Sequence, residues 1–237
     1  MTDETTDDSK PSPTVAKRLD GWTFERFDAS PEGLHSLGVP DGTDAVIRHC
    51  VPTSSAIVLG STQSQEVVDH EVAARLGCEV IRRRSGGGAV LVQPQDTCWV
   101  DVFVPAGHRL WHRDVGVATH WVGGAWSRAL ERLGTDCHVH TGAMMRAVLA
   151  GEVCFAGLGP GEVCVGAAKV VGISQRRTRA GALFQCSVYR QFRIDRLADL
   201  LRLSLDDVEA LRRQVFEVRR LSDDAVVEAL TFEITRS

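Results

Sequence analysis

Between Asp44 and Tyr189 the chain is written as short apolar runs rich in β-branched residues, each closed by turn residues. Asp44–Cys50 and Ser55–Gly60 are separated only by Val-Pro-Thr-Ser, which predicts a hairpin-like pair. Glu79–Arg83 runs into a glycine turn and Ala89–Val92 leaves it, followed by a strand at Cys98–Val104. Cys137–His140 is a short strand, and Val153–Ala156 and Glu162–Val165 flank Gly157–Gly161 as a further hairpin. Two more strands follow, one holding Lys169 and one over Ala182–Tyr189. Parallel neighbours need crossovers of a dozen residues or more. Few such segments exist here: a helix over Val67–Leu76 stopped by Gly77, and one capped by Asp114 that carries Val117, Trp121, Trp126, Leu130 and Leu133. Helical spacing returns after Ile194. The expected fold is therefore α+β, a mixed and mostly antiparallel sheet flanked by helices.

Residues 1–17 are polar and have almost nothing to bury, so they are expected to be a disordered tail, with 18–237 forming one domain. A net charge of −4 leaves no basic footprint for nucleic acid. The seven cysteines contain no CxxC pair and several lie in apolar runs, which suits a reducing compartment. Cys137-His138-Val-His140 has no second ligand pair nearby, so no metal is expected. No signal-peptide core or apolar run of membrane-spanning length occurs, and the expectation is a cytoplasmic protein with no membrane partner.

Of 27 Lys and Arg residues only Lys10, Lys17 and Lys169 are Lys, and the first two lie in the tail. A chain that uses Arg for its surface cations has placed a single Lys in the apolar stretch Gly166-Ala-Ala-Lys169-Val-Val-Gly172-Ile-Ser-Gln175. Lys is a compact point charge and Arg a permanent planar fork, so the choice points to a site lysine meeting a carbonyl or phosphate oxygen. A strand-end lysine snorkelling to water is the structural alternative. The second signal is Arg82-Arg83-Arg84-Ser85-Gly86-Gly87-Gly88-Ala89-Val90. Three glycines let a ligand approach backbone N–H groups, and Arg82, Arg83 and Ser85 add donors for an anion. No Gly-Lys-Ser/Thr follows, so this is not a P-loop.

The Arg82–Val90 stretch resembles the RRxSGGGAV motif of the lipoate-protein ligase and octanoyltransferase family. Lys169-Val-Val-Gly172-Ile-Ser-Gln175 resembles the family's lysine segment in residue and order. The resemblance covers roughly residues 40–205. It implies the biotin/lipoate ligase catalytic-domain fold and acyl transfer to a lysine of a lipoyl carrier domain. The implied acceptors are the lipoyl domains of 2-oxoacid dehydrogenases or the glycine cleavage H protein. It also implies Lys169 as a catalytic residue, with Arg82, Arg83, Ser85, Gly86, Gly87, Gly88, Ala89 and Gly172 along the substrate. A C8 chain needs a narrow apolar tunnel, for which Val90, Val170 and Val171 are candidates.

Three features differ from the ligases. Leu91–Asp96 stands where they carry an aromatic-His-Asp segment, Gln185-Cys186 replaces a His-Gly pair, and little chain remains after residue 205 for an accessory domain. These favour the branch that takes octanoate from acyl carrier protein onto a cysteine, without a cofactor. Cys154-Phe155 is similar to the Cys-Phe pair of one class of these enzymes, which makes Cys154 the candidate nucleophile, with Cys186 as the other and a core role for Cys154 as the alternative. The competing readings are a ligase that uses ATP and Mg to form lipoyl-AMP, and a non-catalytic module that binds an acyl group or carrier domain. Under either enzymatic reading, Lys169→Ala is expected to abolish transfer and leave the melt near that of the unmodified protein.

Overall fold

The computed structural model describes residues 10–40 and 43–237. Its strands are β1 (Val15–Leu19), β2 (Trp22–Ala29), β3 (Ala45–Pro52), β4 (Ser55–Leu59), β5 (Cys78–Arg82), β6 (Val90–Val92), β7 (Thr97–Pro105), β8 (His138–Val139), β9 (Val163–Val165), β10 (Ala168–Arg177) and β11 (Gly181–Tyr189). The helices are α1 (Pro31–Ser36), α2 (His70–Arg75), α3 (Val115–Arg132), α4 (Ile194–Leu201), α5 (Leu205–Gln214) and α6 (Asp223–Thr235).

Eight strands form one sheet in the order β1-β2-β3-β7-β11-β10-β9-β8, antiparallel throughout except for β2 beside β3. The other three form a small sheet, β5-β4-β6, with β4 parallel to β5 and antiparallel to β6. This is the mixed, mostly antiparallel α+β architecture expected.

The two faces of the large sheet are assigned by the period-two alternation of its central strand. Cys98, Val100, Val102 and Val104 of β7 point into a core with Val122, Trp126 and Leu130 of α3 and Leu230 and Ile234 of α6. Trp99, between them, points the other way and meets Phe27, Leu34, Val58 and Val92. The small sheet therefore lies on the face opposite α3 and α6. Its own far side packs with α2, α4 and α5 through Ile57, Leu59, Leu197, Leu200 and Leu211.

Some local expectations fail. β3 and β4 do not pair: β3 joins the large sheet and β4 starts the small one, so Thr53 and Ser54 carry the chain between layers. Both strands are buried along nearly their whole length, and such runs do not reveal which sheet they join. Cys154–Ala156 is a single 3-10 turn rather than a strand, while Val163–Val165 pairs with β8 and β10. Of the tail expected to be disordered, residues 1–9 lie outside the described residues. Val15–Lys17 instead belong to β1, paired with β2. Among the described residues no helix is long and apolar enough to cross a membrane.

Trp126 is fully buried where α3 meets the large sheet. Trp126→Ala is expected to cost about 3–5 kcal/mol of folding stability, read from urea unfolding midpoints.

Candidate functional site

Lys169 lies on β10 where the pairing with β9 is interrupted, Lys169 facing Cys164 and Val171 facing Val163. A bulge of this kind re-aims a side chain, and the Lys169 side chain passes inward rather than to solvent. It is 3% exposed. Its Nζ contacts Glu162 Oε2 at 2.7 Å and donates to the carbonyl oxygen of Cys154 at 2.9 Å, with the Phe155 ring centroid at 5.4 Å. Glu162 is held in turn: Oε2 accepts the N–H of Gly159 at 2.6 Å and Oε1 that of Ile173 at 3.1 Å. An ammonium group has three N–H donors. Two are engaged by protein, leaving one for the cleft that Lys169 lines.

The glycine turn is not a hairpin. β5 and β6 flank β4 on opposite sides, so residues 83–89 cross the end of β4. The crossing runs so close that a β-carbon on Gly60 would stand 1.9 Å from the Gly87 carbonyl oxygen. Arg83, buried, donates to the carbonyls of Val58, Gly86 and Gly88 at 3.2, 2.7 and 2.9 Å. Arg82 donates to those of Gly60, Ser61 and Gln63. Both guanidinium groups thus shape the loop. Ser85 Oγ donates to Ser174 Oγ at 3.1 Å and ties the loop to β10. The N–H groups of Gly86, Gly87 and Gly88 have no partner among the described residues, and all three glycines line the same cleft as Lys169.

Backbone pairing brings Cys154 to this loop. Ala89 N–H donates to Glu152 O at 2.7 Å, and Cys154 N–H to Ala89 O at 3.0 Å. A β-carbon on Gly88 would lie 2.6 Å from the Val153 carbonyl carbon, so this approach requires glycine. Cys154 Sγ lies 3.6 Å from the position a Gly87 β-carbon would occupy. Of the seven cysteines Cys154 alone is not fully buried. Burial pushes the thiol of Cys164 up to about 11 and that of Cys186 well above its ordinary value.

Two spaces meet at Cys154, Ile173 and Ser174. One is the open cleft of Lys169 and the glycines. The other is an apolar slot of about 490 Å³ including its mouth, between the two sheets. Gly172 and Ser174 of β10, Gln185 and Ser187 of β11, and Thr97 and Trp99 of β7 line its large-sheet side. Val58, Val90 and Val92 cover it, with His35 of α1. Gly172 leaves room for Phe155, whose ring would lie 3.0 Å from a β-carbon there. Val90 lines the slot as expected. Val170 and Val171 do not, since they belong to the core under α3 on the other face.

Two carboxylates escaped the sequence reading. Glu162 looked like a strand residue; its only local signal was a lone acid between a Gly-Pro-Gly turn and an apolar run. Asp101, 2% exposed, accepts the indole N–H of Trp99 at 2.6 Å and an amide N–H of Gln185 at 3.4 Å. Burial pushes its carboxyl up to about 6. Beside it, His35 stacks on Trp99 with ring centroids 4.5 Å apart, and burial, with the Arg83 charge, lowers its imidazole to about 4.

The family model of the lipoyl protein ligase A/B catalytic domain matches residues 36–233. Among solved structures the chain is similar to a lipoate-protein ligase A bound with ATP: TM-score 0.72, 18% identity, 90% of this chain and 83% of that one. It is also similar to a bipartite lipoate protein ligase, described with its E2 lipoyl domain, from Thermoplasma acidophilum. There the TM-score is 0.70 and the identity 17%, over 89% and 80% of the two chains. No curated protein matches the chain in sequence.

The burial of Lys169 revises what its removal should do. Lys169→Ala strands the Glu162 carboxylate, and a loss of about 3–5 kcal/mol in stability is expected by urea unfolding, whereas Lys169→Met combined with Glu162→Gln should lose less than the sum of the single changes. Asp101 holds a proton more readily folded than unfolded between about pH 4 and pH 6. Its contribution therefore favours the fold at acid pH and is lost as pH rises through that window. The stability of Asp101→Asn relative to the unmodified protein should rise from pH 4 to pH 7, measured as paired unfolding midpoints.

Proposed function

Since the chain belongs to the lipoyl protein ligase A/B catalytic-domain family, we propose that it transfers an octanoyl group from acyl carrier protein, through a thioester on Cys154, to a lysine of a lipoyl carrier domain. The observation that carries this reading is the position of Cys154: the one partly exposed thiol, at the junction of an apolar slot and the cleft of Lys169. The octanoyl chain lies in the slot and its carbonyl at the mouth. Cys154 Sγ bonds to the carbonyl carbon, the carbon–sulfur bond to the carrier breaks, and the thiol proton leaves with the carrier sulfur. The acceptor amine then attacks the same carbon, the bond to Sγ breaks, and an amine proton returns to Cys154. Thioester and amine become amide and thiol, and no ATP is consumed.

Each attack places negative charge on the carbonyl oxygen. The free N–H of Lys169 and the unpartnered N–H groups of Gly86–Gly88 are donors already held in place, and each such donor is worth about 3–4 kcal/mol in a transition state. Glu162 is the positioning residue for Lys169. Arg82, Arg83 and Ser85 hold the loop in shape, Ala89 holds Cys154 by backbone pairing, and Gly172 keeps Phe155 at the slot. The acceptor class follows from family membership; lipoyl domains of 2-oxoacid dehydrogenases and the glycine cleavage H protein are its proposed members.

The ATP-dependent alternative has support in the likeness to an ATP-bound ligase. It would use Lys169 and the glycine N–H groups on the phosphates. The donor set fits it poorly, because Glu162 is the one carboxylate lining the cleft among the described residues and both its oxygens are taken. The non-catalytic reading gives no use to a partly exposed cysteine beside four unfilled donors.

Incubation with octanoyl acyl carrier protein should add one octanoyl group by intact mass, and Cys154→Ser should lose that addition. Persistence of the adduct in Cys154→Ser would remove Cys154 from the mechanism. Pyrophosphate release from lipoate and ATP at saturating concentrations would instead establish the ligase reaction.

A further inference from the structure

We propose that the His35–Trp99 ring pair is the stop that limits the acyl chain to about eight carbons, and that Asp101 is the positioning residue that holds the stop. The inference rests on the acyl-transfer reading in taking the slot as the seat of the acyl chain.

The slot runs across strands, not along them. Its mouth is at Ile173 and Ser174 of β10, which it shares with the cleft. From there one transverse row of the large sheet reads Gly172, Ser187, Trp99, each directly opposite the next. Side-chain bulk along the row is nil, then small, then the largest available. The Phe155 ring stands over Gly172 as a wall beside the mouth, Ser187 leaves a channel over β11, and Trp99 closes it at β7. Two strand spacings amount to about 10 Å, roughly the extended length of an eight-carbon acyl chain. The covering residues Val58, Val90 and Val92 are apolar, as a hydrocarbon chain requires.

Trp99 cannot swing aside at low cost. Its indole N–H is held at 2.6 Å by Asp101, whose second oxygen accepts from Gln185 in the neighbouring row. That row, Ser174, Gln185, Asp101, runs parallel to the first. His35 meets the indole from α1, in the layer above the sheet, at 4.5 Å and an interplanar angle of 41°. Longer chains would have to displace a buried indole, its buried hydrogen-bond partner and a stacked ring together. An eight-carbon chain reaches the rings without moving them.

The test is a competition among acyl carrier protein thioesters of six to fourteen carbons for Cys154, read by intact mass on the full chain. The unmodified protein should accept chains of six and eight carbons and fall by about ten-fold or more at ten and beyond. His35→Ala and Trp99→Leu should move the limit to ten or twelve carbons. Asp101→Asn, whose amide oxygen still accepts the indole N–H, should keep the limit, whereas Asp101→Leu should relax it. An unchanged limit in folded His35→Ala and Trp99→Leu overturns the stop, as does equal use of eight and fourteen carbons by the unmodified protein. Calorimetric binding of octanoate and dodecanoate reads the slot without the cysteine chemistry. If Cys154 takes no acyl group yet octanoate alone binds and His35→Ala gains dodecanoate, the transfer reading fails and the stop stands. If neither fatty acid binds, the stop falls as well.

Discussion

A two-bond backbone pairing holds the site together. Ala89 and the Glu152–Cys154 segment exchange N–H donors although they lie far apart in sequence, and they do so only because Gly88 has no side chain to strike Val153. The glycine loop belongs to the small sheet, and Lys169 to the large one. The Cys154 segment lies between them, bonded to the loop on one side and to the Lys169 ammonium on the other. Any side chain at residue 88 would push these layers apart and separate the thiol from the loop N–H groups.

The same economy governs the charges. A lysine that is 3% exposed requires an anion, and Glu162 supplies it at 2.7 Å. A buried ion pair adds little net stability, because both partners lose their hydration. What it does supply is a fixed direction, since Glu162 is clamped by two backbone N–H groups and Lys169 can turn only within that arrangement. Burial also sorts the cysteines. The Cys186 and Cys164 thiols are driven upward by it and are suited to packing, and Cys154, in a 3-10 turn at a cavity mouth, is the one left accessible.

The arginines of the motif show how composition misleads at close range. Arg82 and Arg83 read as donors for an anion because cations beside glycines commonly are. In the fold they donate to six backbone carbonyls within residues 58–63 and 86–88, and Arg83 Nε, also buried, has no partner among the described residues. A loop this rich in glycine has few internal bonds, and the guanidinium forks replace the secondary structure it lacks. The donors left unpartnered toward the cleft are the glycine N–H groups themselves, together with one N–H of Lys169.

Most strand and helix positions and the α+β class were legible in the chain, as was the choice of Lys169, Cys154 and the three glycines as candidates, because period, turn residues and an isolated lysine are local signals. Glu162 and Asp101 were not, since a buried carboxylate looks like any other acid until its partners arrive from distant strands. Nor could local pattern say that β3 and β4 part into different sheets, because fully buried strands carry no mark of which layer covers them. Sequence alone determined which residue types were available for chemistry and the order of the elements that bear them. The tertiary structure alone decided which of them meet: strand register set Gly172, Ser187 and Trp99 in one row, and a missing β-carbon at Gly88 allowed two backbones to touch. Those are contacts between distant segments, and their energies depend on distances that no stretch of chain contains.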